Sequence, residues 1–386
     1  MILMSTINPP LKIGLQILGI WPDMPYTTFY RLIYMLSILT IHYFQYLYLF
    51  ARCKFSDLQN LVRPLSVTLY YILTILKLII LWMNCSVIRE ILVAMDTDWR
   101  ECVNIDQHLH LMRTKASNSQ FCTIFLLSFN LLAAAIYFGG DNIIAIIHLL
   151  KGDNYTSRPF PIKVLLPSEA EQSPFYELLV VLLFMHAMLT VYTVAIINAL
   201  ISALVFHVSG QIDIIHQELK AISMKVSYNE SAESTLGMLI TKHNKIIEFA
   251  ENIDKLFAFI AMLQVFSNTS IICLLALIAI KSINSENEVG LLQSLLAYAG
   301  ITGEIFIYCF IGEYLGLKSR ALADAGYNSL WYNMSPRHSK NIIFIIMRSQ
   351  KQLTITVGGL MNLSLDLFTS IMKASASYTS ILHAMY

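Results

Sequence analysis

Tyr176–His207 reads YELLVVLLFMHAMLTVYTVAIINALISALVFH, 32 residues in which Glu177 is the one charged side chain. About 20 mostly apolar residues are enough to cross the hydrocarbon of a bilayer as a helix. This run is longer than that, so it predicts a span that tilts or extends beyond the bilayer. Ser173-Pro174 stands just before it, where proline is tolerated in a first helical turn. Six more windows qualify: Leu32–Phe50, Pro64–Ile88 and Phe121–Leu150 before it, and Leu256–Ile280, Val289–Leu317 and Leu353–Met385 after it. The expected fold class is therefore all-α, a seven-transmembrane helix bundle. Composition agrees, with 56% hydrophobic and 13% charged residues, about half the charged share usual in soluble chains. Membrane lipid must cover much of such a surface.

Orientation follows from lysines and arginines, which collect on the cytosolic side. The N-terminal arm and the second, fourth and sixth loops carry seventeen of them, against seven in the first, third and fifth loops. Only Lys77 and Lys373 lie inside spans. The N-terminus is thus expected in the cytosol and the C-terminus outside, the reverse of G-protein-coupled receptors. Of the N-x-S/T triplets, only the one at Asn154 falls in an outer loop, which makes it the candidate glycosylation site. A net charge of +1 points to no nucleic-acid partner. The six cysteines lie far apart without metal-ligand spacing, and no metal or cofactor is expected. Asn8-Pro9-Pro10 and Trp21-Pro22 interrupt the first residues, so no cleavable leader is expected.

The intracellular loops carry helical patterns of their own. Val208, Ile212, Ile215 and Leu219 continue the fourth span, and Leu236, Leu239, Ile240, Ile246, Ile247, Ala250, Ile253 and Phe257 lead into the fifth. Pro336 followed by Ile342, Ile343, Ile346 and Met347 marks another helix. Apolar faces below the membrane must pack against something, either within one subunit or between subunits.

The last span is unusual. At about 100° per residue, Asp366, Ser370, Lys373, Ser377, Ile381 and Ala384 fall on one narrow stripe. Ionisable groups in a membrane face protein or water. Two readings remain open: a water-filled path narrowed at Ile381 and Met385 by an apolar gate, or a buried Asp366–Lys373 contact in a closed bundle. A retinal-bearing Lys373 is opposed by the inverted orientation and by the lack of Asp-Arg-Tyr and Asn-Pro-x-x-Tyr motifs. GxSxG, HExxH, P-loop and Rossmann patterns are also absent, and no enzyme is expected. His186 and His207 read as satisfied helix residues, and the aromatics of the outer half-spans as core or interface belt, with a small apolar pocket as the alternative.

Ser364-Leu365-Asp366-Leu367-Phe368, followed by Met372-Lys373-Ala374-Ser375 and Ser377-Tyr378, resembles the seventh-helix signature of insect odorant receptors. Leu18-Gly19-Ile20-Trp21-Pro22 is similar to their N-terminal segment, and Tyr327…Trp331-Tyr332…Pro336…Arg348…Lys351 to their cytosolic linker and half-helix. The resemblance covers essentially the whole chain. It implies an odorant-gated, non-selective cation channel in the plasma membrane of olfactory sensory neurons: a tetramer in which tuning subunits assemble with a shared co-receptor. The co-receptor carries a large insertion between its fourth and fifth spans; here that interval is short, which implies a tuning subunit that binds a small volatile odorant.

Carried over by position, residues 1–207 hold the arm, four spans and the ligand pocket, and 256–317 the fifth and sixth spans. Residues 208–255 and 318–352 form the anchor between subunits, and 353–386 line the pore. Ser370, Lys373, Ser377, Ile381, Ala384 and Met385 then face the pore. Lys373 replaces a co-receptor glycine and Ala384 a polar residue, which favours a heteromer. The ligand position implies Tyr70, Tyr71, Thr74, Phe138, Phe184, Met188, Tyr298 and Ile301 as pocket residues. A metabotropic seven-helix receptor and a secondary transporter are the alternatives; the transporter would call for inverted repeats, which are not evident.

Overall fold

The computed structural model describes residues 5–22, 25–52, 58–150, 159–167, 170, 172–225, 231–329 and 331–385. Asn154 lies outside them. Ten α-helices and one small hairpin are seen among the described residues. In chain order the helices are α1 (Pro9–Ile17), α2 (Thr27–Arg52), α3 (Leu58–Met83), α4 (Cys85–Cys102), α5 (Asp106–Leu150), α6 (Phe175–Lys225), α7 (Ser231–Asn284), α8 (Glu288–Tyr327), α9 (Pro336–Gln350) and α10 (Leu365–Met385). Six of these, α2, α3 and α5 to α8, are long and apolar enough to cross a membrane.

The N-terminal prolines start a helix instead of merely breaking one. Asn8 caps α1 by accepting from Leu11 N at 3.0 Å, and Pro9 and Pro10 fill the first turn, where no intrahelical N–H bond is lost. The second predicted span is shifted. Its helix begins at Leu58, so Pro64 lies inside it, and it ends at Met83 rather than Ile88. Asn84, at φ −102° and ψ 28°, leaves the helical well. Beyond it the apolar residues thin to one face of α4, with Ile88, Ile91, Met95 and Trp99 buried.

The seventh predicted span needs the larger correction. Leu353–Ser364 is not helical: β1 (Thr356–Val357) pairs antiparallel with β2 (Met361–Asn362) in the register Thr356↔Asn362 and Val357↔Met361. Gly358 and Gly359 turn the hairpin at φ +62° and +76°, a conformation that costs residues with a Cβ far more than glycine. Asp254 of α7 accepts from Thr356 N at 2.6 Å and from Thr356 Oγ1 at 2.9 Å, and Ala258 O accepts from Gly358 N at 2.9 Å. The buried Ile355, Val357 and Leu363 complete the dock. Only after Ser364, whose Oγ accepts from Leu367 N at 3.2 Å, does α10 begin.

α5, α6, α7 and α8 have 45, 51, 54 and 40 residues. At 1.5 Å per residue each is about 60–80 Å long, twice the roughly 30 Å of bilayer hydrocarbon. Their excess lies at one end of the bundle, with α4 and α9, called here the α4 end. Val208, Ile212, Ile215 and Leu219 are buried there against Leu236, Leu239, Ile246, Ala250, Ile253 and Phe257, all within one chain. α9 is divided: Ile342 and Ile345 are buried, while Ile343, Phe344 and Met347 are exposed.

Polar groups fasten this end. Lys115 of α5 and Lys318 of α8 reach the two oxygens of Asp213 on α6 at 2.8 and 2.7 Å. Lys115 also donates to Tyr314 Oη at 2.8 Å. The fully buried His207 bonds Asp98 Oδ2 at 3.0 Å and Thr6 Oγ1 at 3.2 Å, which ties the N-terminal segment to α4 and α6.

Candidate ligand cavity and gate helix

Away from the α4 end, α3, α5, α6, α7 and α8 enclose a cavity with about 570 Å³ of empty space, part of it continuous with the outside. Its walls are mostly apolar: Val67, Ala133, Ala134, Phe138, Val191 and Ile271 are among them. Small residues on two facing helices create the room, Ala133 and Ala134 on α5 and Ala297 and Gly300 on α8.

Besides the hydroxyl-bearing Ser66, Tyr70 and Tyr137, this lining holds an amide and an acid. Asn130, 8% exposed, gives Nδ2 to Leu126 O at 2.8 Å. Glu304, 2% exposed, accepts from Tyr70 Oη at 3.1 Å, Gln264 Nε2 at 2.7 Å and Asn268 Nδ2 at 3.3 Å. A carboxylate inside a bundle is tolerable when several donors share its charge. Lys77, fully buried on α3, interacts electrostatically with Glu304 and stands 5.7 Å from the Tyr308 ring centre. Its Nζ has no hydrogen-bond partner among the described residues.

Of the eight residues proposed from sequence, Tyr70, Phe138 and Ile301 line this cavity. Tyr71 is turned toward α2 and α6, stacked on His186 at 5.4 Å and edge-on to His42 at 5.4 Å. Thr74 is buried and returns its hydroxyl to Tyr70 O at 2.9 Å. Phe184, Met188 and Tyr298 pack against the core without being among the lining residues. His207 is hydrogen-bonded as expected, whereas His186 Nε2 has no hydrogen-bond partner among the described residues. Asn130 and Glu304 escaped a reading centred on aromatics. A lone acid inside an apolar span was the signal that could have found Glu304.

A polar clasp closes the bundle beside the cavity. Arg63 of α3 pairs with Asp141 of α5 at 3.2 Å and donates to Gln293 Oε1 of α8 at 3.2 Å, while Gln293 Nε2 donates to Asp141 Oδ1 at 3.1 Å. Tyr137 lies under the guanidinium, 5.2 Å from ring centre to Cζ. Lys163, on the segment before α6, sits nearby; burial and the Arg63 charge hold its ammonium below the usual lysine range, against the pull of Asp141.

α10 packs on one side only. Ile371 and Ser375 are buried, Phe368 meets Phe306 of α8 at 5.5 Å, and Cys273 of α7 donates Sγ–H to Ser375 O at 3.5 Å. The opposite face holds Asp366, Ser370, Lys373, Ser377, Ile381 and Ala384, all exposed. The buried Asp366–Lys373 contact is thereby excluded within the chain. Ser370 and Ser377 return their hydroxyls to the carbonyls of Asp366 and Lys373 at 2.9 and 3.0 Å. The side chain of Met385 lies outside the described part of the helix.

A helical bundle with a single-sided last helix is one observation; the family model is the deciding one. Residues 57–376 match the model of the 7tm Odorant receptor family. The chain belongs to that family. Odorant receptor 22c of Drosophila melanogaster is 27% identical over 232 residues, 58% of this chain and 57% of that relative, so the match spans little more than half of its length. Odorant receptor 10 of Aedes albopictus is 22% identical over 86% of both chains. The Odorant receptor coreceptor of Harpegnathos saltator is 26% identical over 39% of this chain and 31% of its own. The olfactory receptor OR5 of Machilis hrabei, in complex with eugenol, has the same fold, with a TM-score of 0.80, 14% identity and 97% and 98% coverage of the two chains. This odorant receptor is thus a membrane protein of a receptor family, and not of an enzyme family.

Proposed function

We propose that this odorant receptor is the ligand-binding, tuning subunit of a heterotetrameric, odorant-gated, non-selective cation channel. It assembles with the shared co-receptor in the plasma membrane of olfactory sensory neurons. The observation that carries this reading is α10, whose polar stripe from Asp366 to Ala384 is exposed while its other face is packed. A pore-lining helix needs that arrangement, protein on one side and water on the other. Likeness to a coreceptor and to a receptor solved with eugenol supports the choice of partner and of a small odorant ligand.

In this reading the N-terminus and the α4 end are cytosolic, the C-terminus is outside, and Asn154 is open to glycosylation. The anchor segments 208–255 and 318–352 face neighbouring subunits through what they leave exposed, such as Phe344 and Met347 on α9. The ligand site centres on Tyr70, Phe138 and Ile301. Tyr71, Thr74, Phe184, Met188 and Tyr298 form the layer around it. Ser370, Lys373 and Ser377 line the pore, and Ile381, Ala384 and Met385 form its gate. Odorant opens the gate because it binds better when the α10 ends have moved apart; only such a difference in affinity shifts the equilibrium.

The test is expression in cells without odorant receptors, with and without the co-receptor, recording whole-cell current under a panel of volatiles. A rapid cation current that needs the co-receptor and survives block of G-protein signalling is the expected result. A second-messenger rise without direct current would replace the channel by a metabotropic receptor. In the conducting complex, Ile381→Ser should leave a ligand-independent leak, since an apolar constriction closes by excluding water.

A further inference from the structure

The polar atoms of the cavity are unequally spent. Ser66 donates its hydroxyl to Arg63 O at 2.8 Å, Tyr70 to Glu304 at 3.1 Å, and Asn130 its amide to Leu126 O at 2.8 Å. Because a carbonyl only accepts, the Leu126 contact fixes the Asn130 amide with nitrogen on the carbonyl and oxygen free. Asn130 Oδ1 has no hydrogen-bond partner among the described residues and faces Gly300 of the lining, 3.9 Å from where a Cβ there would stand. Glu304 beside it is an acceptor as well, and the oxygens of Gln264 and Asn268 behind it are also unpartnered. Asn130 Nδ2 keeps a second hydrogen, and the enclosed Tyr308 hydroxyl beside Lys77 also has one to give. The Tyr137 hydroxyl is fully enclosed, and the Lys77 ammonium is buried outside the lining. What the open surface offers a guest is an apolar wall and, at Asn130, a free oxygen beside one unspent N–H.

We infer that this cavity selects small apolar molecules that carry one hydrogen-bond donor, alcohols and phenols, over the matching ketones, aldehydes and ethers, and that Asn130 Oδ1 is the discriminating atom. The inference rests on reading the cavity as the ligand site. A hydroxyl entering the cavity gives its proton to Asn130 and leaves its carbon skeleton on Val67, Phe138 and Ile271. A carbonyl or ether of the same shape can accept only the second Asn130 N–H and leaves Asn130 Oδ1 desolvated, and leaving a buried polar group unpaired is the costlier error.

Three pairs of probes isolate the donor: phenol and anisole, cyclohexanol and cyclohexanone, 1-hexanol and hexanal. Binding is read as the rise in melting temperature of the full chain in detergent micelles, which follows ligand affinity without requiring a channel to open. Gating is read separately, as current in cells that also make the co-receptor. In the wild type each donor should bind about tenfold or more tightly than its partner. Asn130→Leu should bring each ratio to within about threefold while anisole and hexanal bind no worse. Asn130→Thr, whose hydroxyl can return its proton to Leu126 and keep a lone pair for the guest, should retain part of the preference and carries the test if the leucine variant does not fold. Equal binding within the wild-type pairs, a preference untouched in both variants, or no binding of any probe at millimolar concentration overturns the inference. Donor preference in binding with no current from any probe upholds the ligand class and overturns the gating reading. Current without donor preference does the reverse.

Discussion

At the α4 end, Asp213 joins Lys115 and Lys318, and His207 joins Asp98 to Thr6, so that four helices and the N-terminal segment are fastened by bonds with defined partners. In the middle of the bundle, Lys77 Nζ, His186 Nε2, Tyr308 Oη and Gln264 Oε1 are buried and have no hydrogen-bond partner among the described residues. The first region resists sliding because each helix shift breaks an ion pair that cannot be remade nearby. The second has Glu304 bonded to α3 and α7 but leaves many buried polar atoms unpaired around a cavity, where the individual packing contacts are each small. A receptor that must move between two arrangements needs both: a base that stays and a chamber that yields.

The comparison breaks most easily at Asp213. Asp213→Ala strands two lysines, one of them almost wholly buried, and should cost about 3 kcal/mol or more, read by denaturation of the purified protein. A loss below 1 kcal/mol would mean that the base is not fastened by this carboxylate. Gly312→Val tests the join between base and last helix. A Cβ at Gly312 meets the carbonyl and side chain of Leu363, so the variant should lose about 1–3 kcal/mol through overpacking. Lys77→Met examines the chamber, where stability should stay within about 1 kcal/mol of wild type, because the replaced ammonium makes no hydrogen bond. A loss as large as that of Asp213→Ala would make Lys77 and Glu304 a bonded pair of the same kind. Smallest is Lys373→Gln, expected to raise inward single-channel current about twofold at 0.1 M salt, with the gain fading near 1 M as the Debye length shrinks from about 10 to 3 Å.

Hydropathy made the bundle legible because a span has to be apolar for its whole length, and the apolar faces around Val208 and Ile253 were visible for the same reason. Boundaries were less so. Leu353–Leu363 is apolar enough to pass for the start of a span, yet Gly358-Gly359 and the acid Asp254, a hundred residues earlier, make it a hairpin. Pairing with a distant side chain leaves no local period. The cavity was half legible. Tyr70, Phe138 and Ile301 stand in it because it lies between spans that the resemblance named, but which aromatic turns inward depends on helix rotation, and Tyr71 turned the other way. The stripe on α10 was readable in full from spacing; that it stays uncovered within the chain was not.

The hairpin between β1 and β2 also has a mechanical side. It nails the first turn of α10 to α7 through Asp254 and Ala258, and Leu365 N reaches Glu313 of α8 at 3.4 Å. No comparable fastening is found among the described residues at the other end of the helix, so α10 is a lever with its fulcrum at Ser364. Its 21 residues make an arm about 31 Å long. A swing of about 10° about that fulcrum carries the tip about 5 Å, while the residues beside the hairpin scarcely stir.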